Sequence, residues 1–359
     1  MQSLPEYTSF DEKRRFFAPG NTDTPWLINT QEEFDKLYDF LCLEFNRNIE
    51  SGKNSLLYRG VCEARYKTFT SAQRHWLLNN WKDPSRIGFI EYIKDEIWNI
   101  RQWNELKNFY TSLDVTPTDI LYLSFLQHFG GATPLLDVTH SLDVGLFFAF
   151  DGVKASAEND PDINKYVTLQ ILDYSQYSSY FFTDLVSFFN SGIENARNMV
   201  EEWEKSHPGQ KIDISLIEDI NKFTAWYNPS NPGGDLSSIN IALLDFVKGK
   251  VAKDLKGRPL YWSNIRLIAQ HGAFLFYPHA DKPLEEYLTD IKAPQIRAIN
   301  INKDLSKYVF SRINVDRSKI YPSEESFAKD ANIRAISYLA NLTPTSTYSL
   351  ITIPSKIIK

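Results

Sequence analysis

A chain of 359 residues has room for roughly two domains at about 150 residues each. Its 43% hydrophobic and 23% charged residues match a globular protein and exclude collagen-like, disordered and disulfide-stapled classes. A net charge of −6 opposes a wholly basic nucleic-acid coat while permitting a local basic face. No stretch approaches the roughly 20 apolar residues of a membrane helix. The opening MQSLPEYTSFDEKRR is polar where a signal peptide is apolar. Cys42 and Cys62 are too few for a disulfide framework or a cysteine-based metal site, so a cytoplasmic protein without metal is expected. The 8 Trp, 19 Tyr and 24 Phe against 2 Met are the odd feature, since rings pack cores but also hold planar ligands.

In chain order, Thr30 and Glu33 form a capping pair, and Phe34, Leu37, Tyr38, Leu41 and Phe45 follow helical spacing to about Asn46. Residues 55–60 read as a short apolar strand ending in Arg59-Gly60. A mostly helical segment runs over 86–113, and another helix follows Pro117. Residues 142–150 (LDVGLFFAF) read as a buried helix, 152–163 as an exposed loop and Tyr166–Leu172 as an alternating strand. The 175–240 stretch reads as a helical insert, with an aromatic helix over 177–189 and a charged helix over 193–205. Strands resume in 260–277, with alternation over Ala273–Tyr277, and again at 297–303; a helix pair over 323–339 closes the chain. Without regular βαβ units or a glycine-rich phosphate turn, the expected class is α+β. The expected organisation is a helical extension over 1–54, a domain over 55–340 carrying the insert, and a tail over 341–359.

Three segments concentrate chemistry. Tyr58-Arg59-Gly60 places a guanidinium at a strand end, suited to phosphate or carboxylate, beside a glycine that admits close approach. An ordinary strand-end salt bridge is the plainer alternative. Between Gln127 and Ser141 lie His128, Asp137, Thr139, His140 and Ser141 among apolar residues and a Gly-Gly pair. A buried Asp137 would need partners, and Ser141 alone reads first as a helix cap. Gln270 and His271 precede Gly272 and an apolar strand. Serine-elbow, zinc-helix and paired-carboxylate patterns are absent from the sequence.

Taken in this order, the segments resemble the FRG domain family, named for a Phe-Arg-Gly motif that Tyr58-Arg59-Gly60 would represent here. Leu126–Gly130, Thr133, Leu135–Asp137 and Thr139 are similar to the family's central signature, and Leu146–Ala149 to its final element. Arg266 with Gln270, Gly272 and Phe274 resembles a later motif, and Leu305, Ile320–Pro322 and Ala328 the closing segment. Pro134, Val138 and Gly145 depart from it, standing where Arg, Trp and Ala are usual.

The order of motifs also resembles ADP-ribosyltransferases, which use an Arg or His, a Ser/Thr/Tyr and a Glu or Gln on successive strands. That resemblance implies Arg59, Thr139 and Gln270 as catalytic residues. It adds Tyr58, Gly60, His128, Asp137, Ser141, Phe147 and His271 as residues around NAD. Arg59 would clamp the pyrophosphate, Thr139 or Ser141 would support the ribose, and Tyr58, Phe129 or Phe147 would stack on nicotinamide. His271, Asp137 or Glu285 would take the acceptor's proton. The implied function is an intracellular ADP-ribosyltransferase, a toxin or phage-defence effector modifying RNA, DNA or protein. A non-catalytic binding module for a nucleotide or protein and an NAD glycohydrolase are the alternatives.

Between Arg59 and Arg86, six cations face only Glu63 and Asp83, with Tyr66, Phe69, Trp76 and Trp81 interleaved. This mixture suits single-stranded nucleic acid, or else an ordinary helix face over aromatic anchors. The insert would serve core packing or dock an antitoxin or chaperone.

Overall fold

A computed structural model describes residues 3–79, 86–112, 119–154, 156–157, 159–178, 181–184, 198–212, 240–245 and 265–322. The eight strands are β1 (Leu27–Ile28), β2 (Leu56–Val61), β3 (Leu135–Thr139), β4 (Tyr166–Asp173), β5 (Phe182–Asp184), β6 (Ile241–Asp245), β7 (Gly272–Phe276) and β8 (Arg297–Asn302). They form one mixed sheet in the order β1-β8-β4-β2-β3-β7-β6-β5. Only the outer pairs, β1 with β8 and β5 with β6, are parallel. The class is therefore α+β, with helices α1 (Phe10–Lys13), α2 (Gln31–Glu50), α3 (Ser71–Leu78), α4 (Arg86–Arg101), α5 (Asn104–Ser112), α6 (Asp119–His128) and α7 (Leu142–Phe150) around the sheet. Among the described residues no helix is long and apolar enough to cross a membrane.

The sheet is not evenly knit. β2 pairs with β4 over six residues and β3 with β7 over five, but β2 and β3 share a single pair, Tyr58 with Thr139. Beyond that pair the two strands diverge. The sheet is thus two halves, β1-β8-β4-β2 and β3-β7-β6-β5, forked at Arg59 and Val138.

Alternation along the strands sorts side chains to the two faces. Val167, Leu169 and Ile171 of β4 and Ile299 and Ile301 of β8 share one apolar cluster with Tyr58, α2 and α7. The opposite face carries Thr168, Gln170 and Asn300, all buried. The Lys13 ammonium fills this polar strip by donating to Ala64 O, Thr168 Oγ1 and Asn300 Oδ1 at 2.6–2.9 Å. All three of its protons are satisfied, which is what a buried ammonium needs. Burial pushes the Lys13 pKa down to about 7, opposed by the Glu285 charge.

Thr30 and Glu33 cap α2 as their spacing predicts, each side chain meeting the other's backbone N–H. The same device, Thr70 with Gln73, starts α3. The 86–113 segment breaks at Gln102 into α4 and α5. The 142–150 run is the buried helix α7, capped by Ser141. The aromatic stretch expected as a helix over 177–189 is corrected where it is described, residues 179–180 and 185–189 lying outside the described residues. Tyr174–Gln176 is a 3-10 turn and Phe182–Asp184 an outer strand, while Tyr177 and Phe181 stack with ring centroids 5.7 Å apart. Part of the charged helix is present at 198–206. The residues before 54, expected as a helical extension, supply β1 and Lys13 and so complete the sheet. The 323–339 helix pair and the 341–359 tail lie outside the described residues.

Candidate functional site

The fork opens onto a cavity of about 300 Å³. β2 lends Arg59 and Gly60, α6 lends Gln127 and His128, and β3 lends Asp137. Phe148 of α7, Arg266 of the Ile265–Ala269 helix, Gln270, Phe274 and Tyr321 complete the wall. The three segments singled out in the sequence therefore meet at one place.

Arg59 is half-buried and bridges the fork, its Nη1 donating to the Asp137 main-chain carbonyl at 2.6 Å. Its Nε is buried with no partner, and it forms no ion pair among the described residues. Burial lowers its pKa, with the Asp137 charge acting in the opposite sense, yet a guanidinium stays protonated in proteins. The expected strand-end salt bridge is thus replaced by a cation held on a carbonyl. Arg266 brings a second guanidinium to the same cavity.

Asp137, expected to be buried, is exposed to the cavity, with Oδ2 accepting from Gln127 Nε2 at 2.7 Å. The His128 ring meets Phe274 edge-on at 5.5 Å, and its Nε2 is buried without a partner. Burial pushes the His128 pKa down, with Asp137 opposing and Arg266 assisting, so the ring is neutral near pH 7. Gln270 lines the wall while its Nε2 donates to Ile320 O at 3.1 Å. That bond holds the turn carrying Tyr321, whose hydroxyl donates to Asp151 at 2.8 Å.

Several expected residues lie elsewhere. Thr139 is 1% exposed. Its Oγ1 donates to Gln270 O at 2.7 Å, approaches His271 O at 3.3 Å and accepts from Ser141 N at 3.0 Å. It fastens the end of β3 to the turn before β7 and does not line the cavity. Replacing Thr139 with Val, which keeps the shape and removes these bonds, is expected to cost about 1–3 kcal/mol in thermal or urea unfolding. Thr139→Ser would keep most of that stability.

Ser141 caps α7 by accepting from Val144 N, which is the plainer reading of that residue. The Phe147 side chain is in the core, 3% exposed, whereas Tyr58, also buried, borders the cavity from beneath β2. Phe147 packs edge-on against Phe148, Phe310 and Tyr321. The ring that α7 gives to the cavity is Phe148, one residue on. Phe129 is exposed but is not in the wall. Gly60 borders the cavity, but its missing Cβ makes room for the α7 backbone, since a Cβ there would lie 2.2 Å from Ala149 N and 2.3 Å from Gly145 O. His271 is an exposed turn residue with φ +46°. Glu285 is fully buried, accepting from the Tyr7 hydroxyl at 2.7 Å and from Thr68 N. Neither of these two reaches the cavity.

The basic face over 59–86 is partly paired where it is described, with Arg74 and Tyr66 exposed. Lys67 meets Glu286 at 2.6 Å, Arg65 lies near Glu6 and Glu63, and Arg74 Nε turns to Thr70 O. Phe69 and Trp76 are buried and unavailable for stacking on bases. Trp81 and Lys82 lie outside the described residues. Both cysteines are half-buried free thiols, and no group of three metal-ligating side chains occurs among the described residues.

Sequence reasoning missed Phe148, Tyr321 and Gln127 as cavity residues. Gln127 stood beside His128 in the signature and could have been weighed for its amide. No curated protein and no solved structure is similar to the chain. The FRG domain model matches residues 54–158, which span β2 to α7 and include Arg59, Gln127, His128, Asp137 and Phe148. The chain carries an FRG domain over residues 54–158.

Proposed function

We propose that the forked cavity binds NAD and that the protein transfers its ADP-ribose moiety to a macromolecular acceptor. The observation that carries this reading is Arg59, a half-buried cation with a carbonyl for a partner, facing a cavity that also holds Arg266 and Asp137. Two guanidiniums suit a pyrophosphate, which offers several acceptor oxygens to planar donors. Phe148 and Tyr321, both half-buried, supply flat apolar surface for nicotinamide, with the buried Phe274 beneath. At about 300 Å³ the cavity takes one half of the dinucleotide, leaving the other half across the open rim.

The residues also divide the work. Arg59 and Arg266 bind and orient the diphosphate, the rings exclude water from the leaving group, and Gln270 keeps Tyr321 in the wall. The acceptor, nucleic acid or protein, is to be read from the label.

The full chain incubated with NAD labelled in the adenylate half and cell lysate is expected to transfer label to protein, RNA or DNA and to release nicotinamide. Thr139 and Gln270 being engaged by the backbone favours a second reading, a nucleotide-binding module without turnover. NAD binding with neither transfer nor nicotinamide release would establish that reading in place of the first. Free ADP-ribose with no labelled macromolecule would establish a glycohydrolase.

A further inference from the structure

We infer that Asp137 is the catalytic carboxylate of this cavity, held in place by a relay from Ser71 through Thr133 and Gln127; the inference rests on the NAD reading above. Asp137 is the only carboxylate among the described residues of the cavity wall. Its two oxygens are treated differently. Oδ2 accepts from Gln127 Nε2, whereas Oδ1 has no protein partner among the described residues and faces an exposed position.

The Gln127 amide is itself fixed, its Oε1 accepting from the Thr133 hydroxyl. Thr133 is fully buried, its backbone N–H donates to Ser71 Oγ at 2.9 Å, and Ser71 Oγ lies 3.1 Å from Gly131 O. The Thr133 hydroxyl fixes which end of the Gln127 amide faces Asp137, so a donor is already aimed at Oδ2 before any ligand arrives. A preset negative charge needs no reorganisation during reaction and is effective for that reason. Arg59 fixes the same residue from behind through its main-chain carbonyl. The position of Asp137 is therefore specified at backbone and side chain together.

The step it serves balances without a further reactant. The bond between ribose C1′ and the nicotinamide ring nitrogen breaks, and the electron pair leaves with the ring, turning a pyridinium into neutral nicotinamide. Positive charge passes to C1′ and the ring oxygen of the ribose. Asp137 stabilises that charge and accepts a hydrogen bond from a ribose hydroxyl. The acceptor's lone pair then closes on C1′, and its proton goes to solvent at the open mouth. Gln270, which carries no charge and is bonded to Ile320 O, is not needed for this step. Gln127 and Thr133 are positioning residues.

The test measures nicotinamide release and NAD binding by the full chain in parallel. Asp137→Asn keeps an acceptor oxygen but no charge, so release should fall on the order of 100-fold while the NAD Kd stays within about threefold. Thr133→Val should lower kcat roughly 10-fold with little change in KM, and Thr133→Ser should restore it. A purely structural role for Thr133 would instead change unfolding without splitting kcat from KM. Release by Asp137→Asn within about threefold of the unaltered protein, at equal thermal stability, would overturn the inference and leave the NAD reading standing. If the unaltered protein releases no nicotinamide, the transferase reading falls and the role of Asp137 falls with it.

Discussion

Replacing Gly60 with Ala is expected to destabilise the protein by about 3 kcal/mol or more, read as a fall of roughly 4 °C or more in Tm. A Cβ at Gly60 would sit 2.2 Å from Ala149 N, 2.3 Å from Gly145 O and 2.7 Å from Phe148 C. All three are backbone atoms of α7, so no flexible side-chain end can swing aside. The reciprocal contact is nearly as close, since a Cβ on Gly145 would lie 2.8 Å from Tyr58 Cβ. Strand and helix are in effect fitted glycine to glycine. To admit a methyl group, α7 must lift from β2, loosening its contact with Val167, Leu169 and Ile171 of the same core. Phe148 would move with the helix, so nicotinamide release should fall even below the melting transition. Unchanged Tm in Gly60→Ala would mean that α7 does not bear on β2 as described.

Replacing Arg59 with Met should weaken NAD binding by about 2–4 kcal/mol, roughly 30- to 700-fold in Kd, with little loss of stability. The two effects separate because of what Arg59 touches. Its one direct bond is to a main-chain carbonyl across the fork, and its charge has no ion-pair partner among the described residues. Removing a half-buried cation relieves desolvation, and the Met side chain keeps the apolar stem in place. The phosphate, by contrast, would lose a charge-assisted donor. Arg59→Lys should recover only part of the affinity, because an ammonium cannot reach both the Asp137 carbonyl and two phosphate oxygens in one plane. Isothermal titration with NAD and thermal unfolding of the same samples check both halves. Equal NAD affinity in Arg59→Met would remove the main support for an anion at this site.

The sequence made the components of the cavity visible more readily than their roles. Arg59, His128, Asp137 and Gln270 stood out because polar groups inside apolar stretches must meet something. A hydroxyl, however, is equally suited to ligands and to backbone, and Thr139 and Ser141 serve the backbone. Phe147 and Phe148 differ by one position on a helix that is apolar all round, so no hydrophobic phase marks which ring faces the cavity. Strands β1, β5 and β6 escaped because two or three residues, or an apolar run without alternation, carry little periodic signal. Pro134 precedes β3, and its carbonyl accepts from Tyr277 N at 2.8 Å; the strand was hidden among residues read for chemistry. The α2 cap was legible because Thr30 and Glu33 act locally, whereas the fork depends on pairings far apart in the chain.

The single pair between β2 and β3 also bears on what counts as a unit of this protein. Residues 54–158 contain both strands but none of their long partners, since β4, β7 and β8 all follow and β1 precedes. Cut out at those limits, β2 would expose the whole edge it offers to β4, and β3 the edge it offers to β7, with one residue pair left between them. Two strands so joined are too little sheet to stand alone in water. The recognisable segment is thus a signature threaded through a larger cooperative body, and the ends of a self-sufficient fragment are set by sheet pairing rather than by the reach of the motif.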